Sequence, residues 1–259
     1  MDFLAQIVQD YTSPALAGAV LIVVLAGFVK GAVGFGMPMI MVAGLGSFLS
    51  AEVAVAGLLL PTLITNVYQA LRGGGVLALD TLRRFWRFNL IFALTIVMAA
   101  QLVVTVPESA LFIILGVTIS GFGLIQMLGM RLRFAPVQRH RVELLLGVVS
   151  GLFGGMSGIW GPPLILYLLA LEVPKREQVR ALGITFLLGS VILVAAHLRS
   201  GLLDTRTTPF SALLVLPAAV GMFFGYRLQD RLDQALFRRL TLLVLLIAGL
   251  NLLRRGLFG

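Results

Sequence analysis

Few side chains in this 259-residue sequence are equipped for chemistry. It has no cysteine, which removes disulfides, thiolate nucleophiles and thiolate metal sites, and only two histidines, His140 and His197, too few for a histidine metal cluster. Neither a metal nor a cofactor is expected. One serine, Ser157, sits in the glycine-rich run GGMSGIWGPP at 154–163 and could act as a nucleophile if His197 served as its base. Thr65, Asn66 and Gln69 recur at helical spacing inside one apolar stretch, and Thr185 and Ser190 fall in another. Lys30 lies in an otherwise apolar turn, where it could attract an anion or snorkel to an interface. The rest of the chemistry belongs to the backbone. GAVGFGMPM at 31–39 and the run at 154–163 both place glycines just ahead of proline, and the free N–H groups at a helix start attract negative charge.

The elements that must position these groups follow from composition. Apolar residues make up 59% and charged residues 12%, and the mean hydropathy is +1.03, leaving too little polar surface to cover a water-soluble domain. The chain reads as an all-α integral membrane protein, a single transmembrane domain over 1–259 in contact with the lipid bilayer. Its apolar segments fall at about 15–29, 35–50, 53–71, 88–106, 110–129, 142–155, 158–171, 180–198, 209–226 and 237–253. They are continuously apolar without two-residue alternation, which makes them helices rather than barrel strands. Turn and cap signals separate them: RGGG at 72–75, VPES at 106–109, FAP at 134–136 and LEVPKRE at 171–177. The formal charge of +9 comes from short basic clusters between spans, where bilayer orientation explains it, and no aromatic-interleaved basic face points to nucleic acid. Asp2 and Asp10 without a nearby Lys or Arg make the N-terminus unlike a cleaved signal.

The sequence is duplicated. Glu52 and Glu177 are 125 apart, ESALF at 108–112 returns as DQALF at 233–237, and Gly27, Gly31 and Gly34 match Gly151, Gly155 and Gly158 at 124. Repeat 1 covers about 15–129 and repeat 2 about 142–253. Each holds a glycine-broken helix hairpin, crossing fully or re-entering, followed by three transmembrane helices. On that count the repeats have opposite orientation: fifteen Lys and Arg residues collect on one face and four on the other, with Lys30 at a segment end. Continuous glycine spans would give the less polarised split of twelve against seven. The basic face is inside, so both termini lie on the outer side. Two inverted-topology repeats with discontinuous helices are the architecture of secondary transporters, with substrate held at the midplane between the broken helices. The substrate-binding residues expected on this reading are Gly34, Phe35, Gly36, Pro38, Thr65, Asn66, Gln69, Ser157, Gly158, Trp160, Gly161 and Pro162, with Lys30 and His197 in coupling or gating. Small residues in membrane helices also serve close packing, which is the competing reading of every glycine here.

The two glycine runs, each followed after a short helix by an acidic residue and an alanine-rich span (SAEVAVAGLLLPTLITN at 50–66, KREQVRALGITFLLGS at 175–190), resemble the duplicated motif of the TauE/SafE family of sulfite and organosulfonate exporters. The likeness runs from about 15 to 253. It departs in Met37, between Gly36 and Pro38, and in Lys30. The resemblance implies a multi-pass permease of the bacterial inner membrane for a small sulfur-containing anion, sulfite or a sulfonate, and no enzyme. A homodimer is compatible with it. Two other readings compete: a passive anion channel, and an intramembrane serine protease, since GMSG at 155–158 with His197 resembles the serine and histidine of rhomboids.

Overall fold

The structure, a computed structural model, describes residues 13–46, 48–102, 108–129, 138–157, 160–199 and 201–258. Among them it is helical throughout: α1 Ser13–Val33, α2 Met37–Leu45, α3 Ala51–Leu71, α4 Gly75–Arg84, α5 Trp86–Leu102, α6 Glu108–Met127, α7 Arg139–Ser157, α8 Gly161–Ala170, α9 Lys175–Arg199, α10 Thr207–Leu213, α11 Val215–Arg231 and α12 Gln234–Phe258. Among the described residues five stretches are long and apolar enough to cross a bilayer: Pro14–Val33, Val53–Leu71, Lys175–Arg199, Thr207–Arg231 and Gln234–Phe258. The expected turn at 72–75 is there, with Gly73 and Gly74 at φ 103° and 101°. One short helix, α4, was not expected, and it follows a turn that marks only where a span ends; α10 and α11 together cover the expected segment at 209–226, divided at Leu214. The signals at 134–136 and at 106–107 lie outside the described residues.

The helices fall into two compact units, one made of the chain up to Gln69 with Ser190–Arg231, the other of Ala70–Gly189 with Leu232–Gly259. The boundary within α9 falls between Gly189 and Ser190. Each unit combines segments from both sequence halves.

In the first unit α1 packs along α11, and glycine decides how closely. A Cβ on Gly27 would run into the Ala218 carbonyl, one on Gly31 would stand 2.9 Å from Gly225 Cα, and one on Gly225 would stand 2.8 Å from the Ala32 amide nitrogen. The two backbones touch, the arrangement that small residues permit in a membrane where no hydrophobic drive separates helix from lipid. Beside this seam Val23, Met37, Met41, Leu45, Leu59 and Phe210 form the unit's apolar core. Pro61 interrupts α3 from inside and, lacking an N–H, leaves the Gly57 carbonyl without its helical donor. The Ser211 hydroxyl of α10 supplies one at 3.3 Å and also accepts from the Leu60 amide at 3.1 Å. An orphan carbonyl in the apolar interior is thereby satisfied from another element.

In the second unit α7 packs on α5 and α6 on α12, again through glycine. A Cβ on Gly151 would lie 2.9 Å from the Phe92 carbonyl oxygen, and one on Gly116 would lie 2.8 Å from that of Gly249. In the 124–125 register α7 corresponds to α1 and α5 to α11, so each unit contains one pairing of a glycine-run helix with a span from the other half.

Candidate functional site

The end of α1 is built to leave the helix. Gly34 and Gly36 both have positive φ, 91° and 94°, a conformation that costs a residue with a Cβ and not a glycine. Between them Phe35 is buried. Gly36 then caps α2, no side chain bonds the cap, and Pro38 occupies the first turn, where its missing donor does least harm. The last carbonyls of α1 would be orphaned in hydrocarbon. Three of them find donors, Gly34 N bonding the Lys30 carbonyl at 2.7 Å and Gln229 Nε2 donating to Gly31 O at 3.0 Å and Ala32 O at 3.4 Å, and just beyond the helix Gln69 Nε2 donates to Gly34 O at 2.9 Å. Gln69, expected at a substrate site, uses its amide nitrogen as a helix cap. Gln229 does the same and was missed from sequence, its position near the end of α11 giving no hint.

Lys30 does not snorkel. Its side chain is 1% exposed, and its Nζ donates to Thr65 Oγ1 at 2.8 Å and to Asn66 Oδ1. Thr65 passes its own proton to the Pro61 carbonyl at 2.6 Å and stands 3.8 Å from the sulfur of Met37, the first residue of α2. Asn66 Nδ2 donates to Ser190 Oγ at 3.3 Å. Thus Lys30, Thr65, Asn66 and Ser190 form one buried polar chain at the foot of the glycine interruption. The hydroxyl of Thr62, one turn earlier, is buried without a partner. A cavity of about 250 Å³ lined by Ile64, Thr65, Tyr68, Ala219, Met222 and Phe223 opens onto the same Thr65.

In the second unit α7 ends at Ser157 and α8 begins at Gly161. Trp160 caps α8 without a side-chain bond and Pro162 and Pro163 follow, both buried. The Trp160 indole is 4% exposed. It meets Phe92 edge-on at 6.3 Å and Phe186 at 6.4 Å, and Gly189 would place a Cβ 3.3 Å from it. That is a packed aromatic cluster. Gly161 abuts the Phe186 ring. Gly158 and the side chain of Ser157 lie outside the described residues. His197 sits half-buried in the last turn of α9, its carbonyl accepting from Leu203 N at 3.2 Å.

A second polar cluster escaped the sequence reading. Glu143, 3% exposed, accepts from Tyr167 Oη at 2.5 Å and pairs with Arg139 at 3.3 Å, one turn before it on α7. The Tyr167 ring stacks on Phe88 at 5.4 Å. The Arg–Glu spacing of four was a usable signal, but the tyrosine comes from α8, 24 residues on. This carboxylate already has its counter-charge, which makes the cluster a structural tie. Among the described residues no group of His, Asp or Glu could hold a metal ion.

The model of the family described as Sulfite exporter TauE/SafE matches residues 19–252, nearly the whole chain. No curated protein and no solved structure matches it.

Proposed function

This chain belongs to the Sulfite exporter TauE/SafE family, and on that premise we propose that it is a secondary transporter exporting a small sulfur-containing anion, sulfite or an organosulfonate, by alternating access. The family is one of membrane transporters, and helices long and apolar enough to span a bilayer agree with it. The observation that carries the finer reading is the interruption of α1: a helix of membrane-spanning length stops at Val33, turns through two left-handed glycines, and restarts as α2 with no side chain on its cap. Main-chain donors and a partial positive charge at such a start suit a small anion. The matching glycine run before α8 and the 125-residue register support two inverted-topology repeats, and the fifteen-to-four division of basic residues supports both termini on the outer side of the inner membrane.

Export follows from charge. An anion leaving a cell with an inside-negative potential gains about 2.3 kcal/mol per charge per 100 mV, whereas uptake needs a coupled cation and an acidic group to carry it. The buried carboxylate of Glu143 is already matched by Arg139.

The test is flux. Proteoliposomes loaded with sulfite, sulfoacetate, taurine, sulfate or a simple carboxylate should release the sulfur oxyanions faster than protein-free vesicles, and unlabelled substrate outside should accelerate efflux of label. Ohmic currents without trans-stimulation would instead indicate a channel, and transport of carboxylates alone would remove the substrate class.

A further inference from the structure

In its protonated form Lys30 has a donor to spare. An ammonium carries three N–H groups, and Lys30 Nζ has two oxygen partners, Thr65 Oγ1 and Asn66 Oδ1, both neutral. Among the described residues no carboxylate lies within ion-pairing distance of it. Both acceptors are held in the orientation that faces a cation, because the Thr65 proton is committed to Pro61 O and the Asn66 amide nitrogen to Ser190 Oγ. A buried charge surrounded only by neutral dipoles is a poor way to stabilise a membrane protein, since removing it usually costs nothing or helps. Its place beside the interruption calls for another reason. The 250 Å³ cavity reaches Thr65, and the sulfur of Met37, the first residue of α2, stands against the same hydroxyl, so the Lys30 nitrogen and the Met37 side chain meet at one oxygen atom.

We propose that Lys30 is the fixed positive charge that recognises the transported oxyanion, its remaining N–H reserved for an anion oxygen and the cavity at Thr65 forming the approach. The inference rests on the transporter reading and adds to it the residue that supplies charge selectivity. It makes Lys30 a ligand of the substrate, while Thr65 and Asn66 are positioning residues that aim it. A site with one positive charge and apolar walls favours a singly charged oxyanion over a doubly charged one.

The experiment uses the full-length protein purified in detergent and reconstituted in liposomes, with sulfite and methanesulfonate as probes. Lys30→Met keeps the buried stem and removes the charge. Its melting temperature without anion should stay within roughly 10 °C of the wild type's, because the lost hydrogen bonds to Thr65 and Asn66 are offset by no longer burying a charge, its anion-induced thermal shift should vanish, and efflux should fall by about 10²-fold or more, the scale of an anion losing its buried partner. Lys30→Arg should retain measurable binding because the charge is kept. Thr65→Val, which preserves shape, should weaken binding while leaving the fold intact.

If Lys30→Met moves and binds the probes as the wild type does, the inference is overturned and the transporter reading survives. Lys30-dependent binding without flux would sustain the inference and refute transport. Absence of both binding and flux in the wild type would overturn the two together.

Discussion

Replacing Gly31 by alanine tests whether the α1–α11 seam holds the interruption in place. A Cβ there would stand 2.9 Å from Gly225 Cα and 3.0 Å from the Met222 carbonyl carbon, whereas carbon pairs rest at about 3.5–4.0 Å. All of the nearest atoms are backbone, so no side chain can swing aside. The helices must part by roughly 0.6–1 Å, and a gap of that size forfeits about a quarter to a half of each dispersion contact along the seam. Overpacking of this kind costs about 1–3 kcal/mol, which for a chain of this length is a melting temperature lower by roughly 2–12 °C. The measurement is thermal unfolding of purified protein in one detergent, with Gly121→Ala as control because nothing lies within 4 Å of its Cβ position on α6. Parting α1 from α11 would also pull Gly31 O from Gln229, so anion binding should weaken in parallel. A Gly31→Ala protein as stable as Gly121→Ala would refute the close approach and return this glycine to the interruption itself.

Ser211→Ala should lower stability by about 1–3 kcal/mol, the cost of a buried carbonyl left without a donor, because Gly57 O has lost its helical partner to Pro61. Unchanged thermal unfolding would mean that the carbonyl finds another donor. Trp160→Ala should cost about 3–5 kcal/mol, with Trp160→Phe recovering most of it, since the indole packs against Phe92 and Phe186; a variant with wild-type stability and altered flux would make Trp160 a lid. Asp204 accepts from the Thr207 and Arg206 amides at 2.7 and 2.8 Å and from the Thr207 hydroxyl at 3.0 Å, and these bonds, the Thr207 amide foremost, hold its carboxyl below the usual range. A depressed carboxylate contributes order that is complete above its unfolded value and lost as pH falls through the folded one, below about 4. Hydrogen exchange at the Arg206 and Thr207 amides should therefore speed up in that acid window, and in Asp204→Ala the protection should be missing at every pH.

The interruption of α1 was legible because its chemistry is local. Positive φ at Gly34 and Gly36 demands glycine, and the restart of a helix tolerates Pro38, so residue type and spacing carried the geometry. Glycine a few residues earlier left packing and turning unseparated. Gly27 and Gly31 belong to the repeated run, yet they face Ala218 and Met222, and only a partner nearly 200 residues away separates a packing glycine from a turning one. Lys30 was ambiguous for the same reason: whether a lysine near a helix end reaches water or stays inside depends on acceptors from another helix, here Thr65 and Asn66. The α4 segment GVLALDTLRR was too polar for a span and too short to carry a clear period. Its fixed point, Thr81 accepting from Arg180 Nε at 2.7 Å, is again remote in sequence.

The 124-residue register aligns the two glycine runs but not their chemistry. In the 124-residue register Lys30 falls on Gly154, and there a Cβ would already lie 3.1 Å from the Trp160 Cβ and 3.2 Å from its ring. The second copy has no room for a lysine, since Trp160 has taken the space. Conversely, Phe35 and Met37 around the first interruption bring no indole that would crowd Lys30. The first run has a buried lysine beside it and the second a buried aromatic cluster. With Lys30 the one buried lysine or arginine among the described residues, the proposed anion site belongs to the first run alone, as expected of a carrier that takes one anion per cycle.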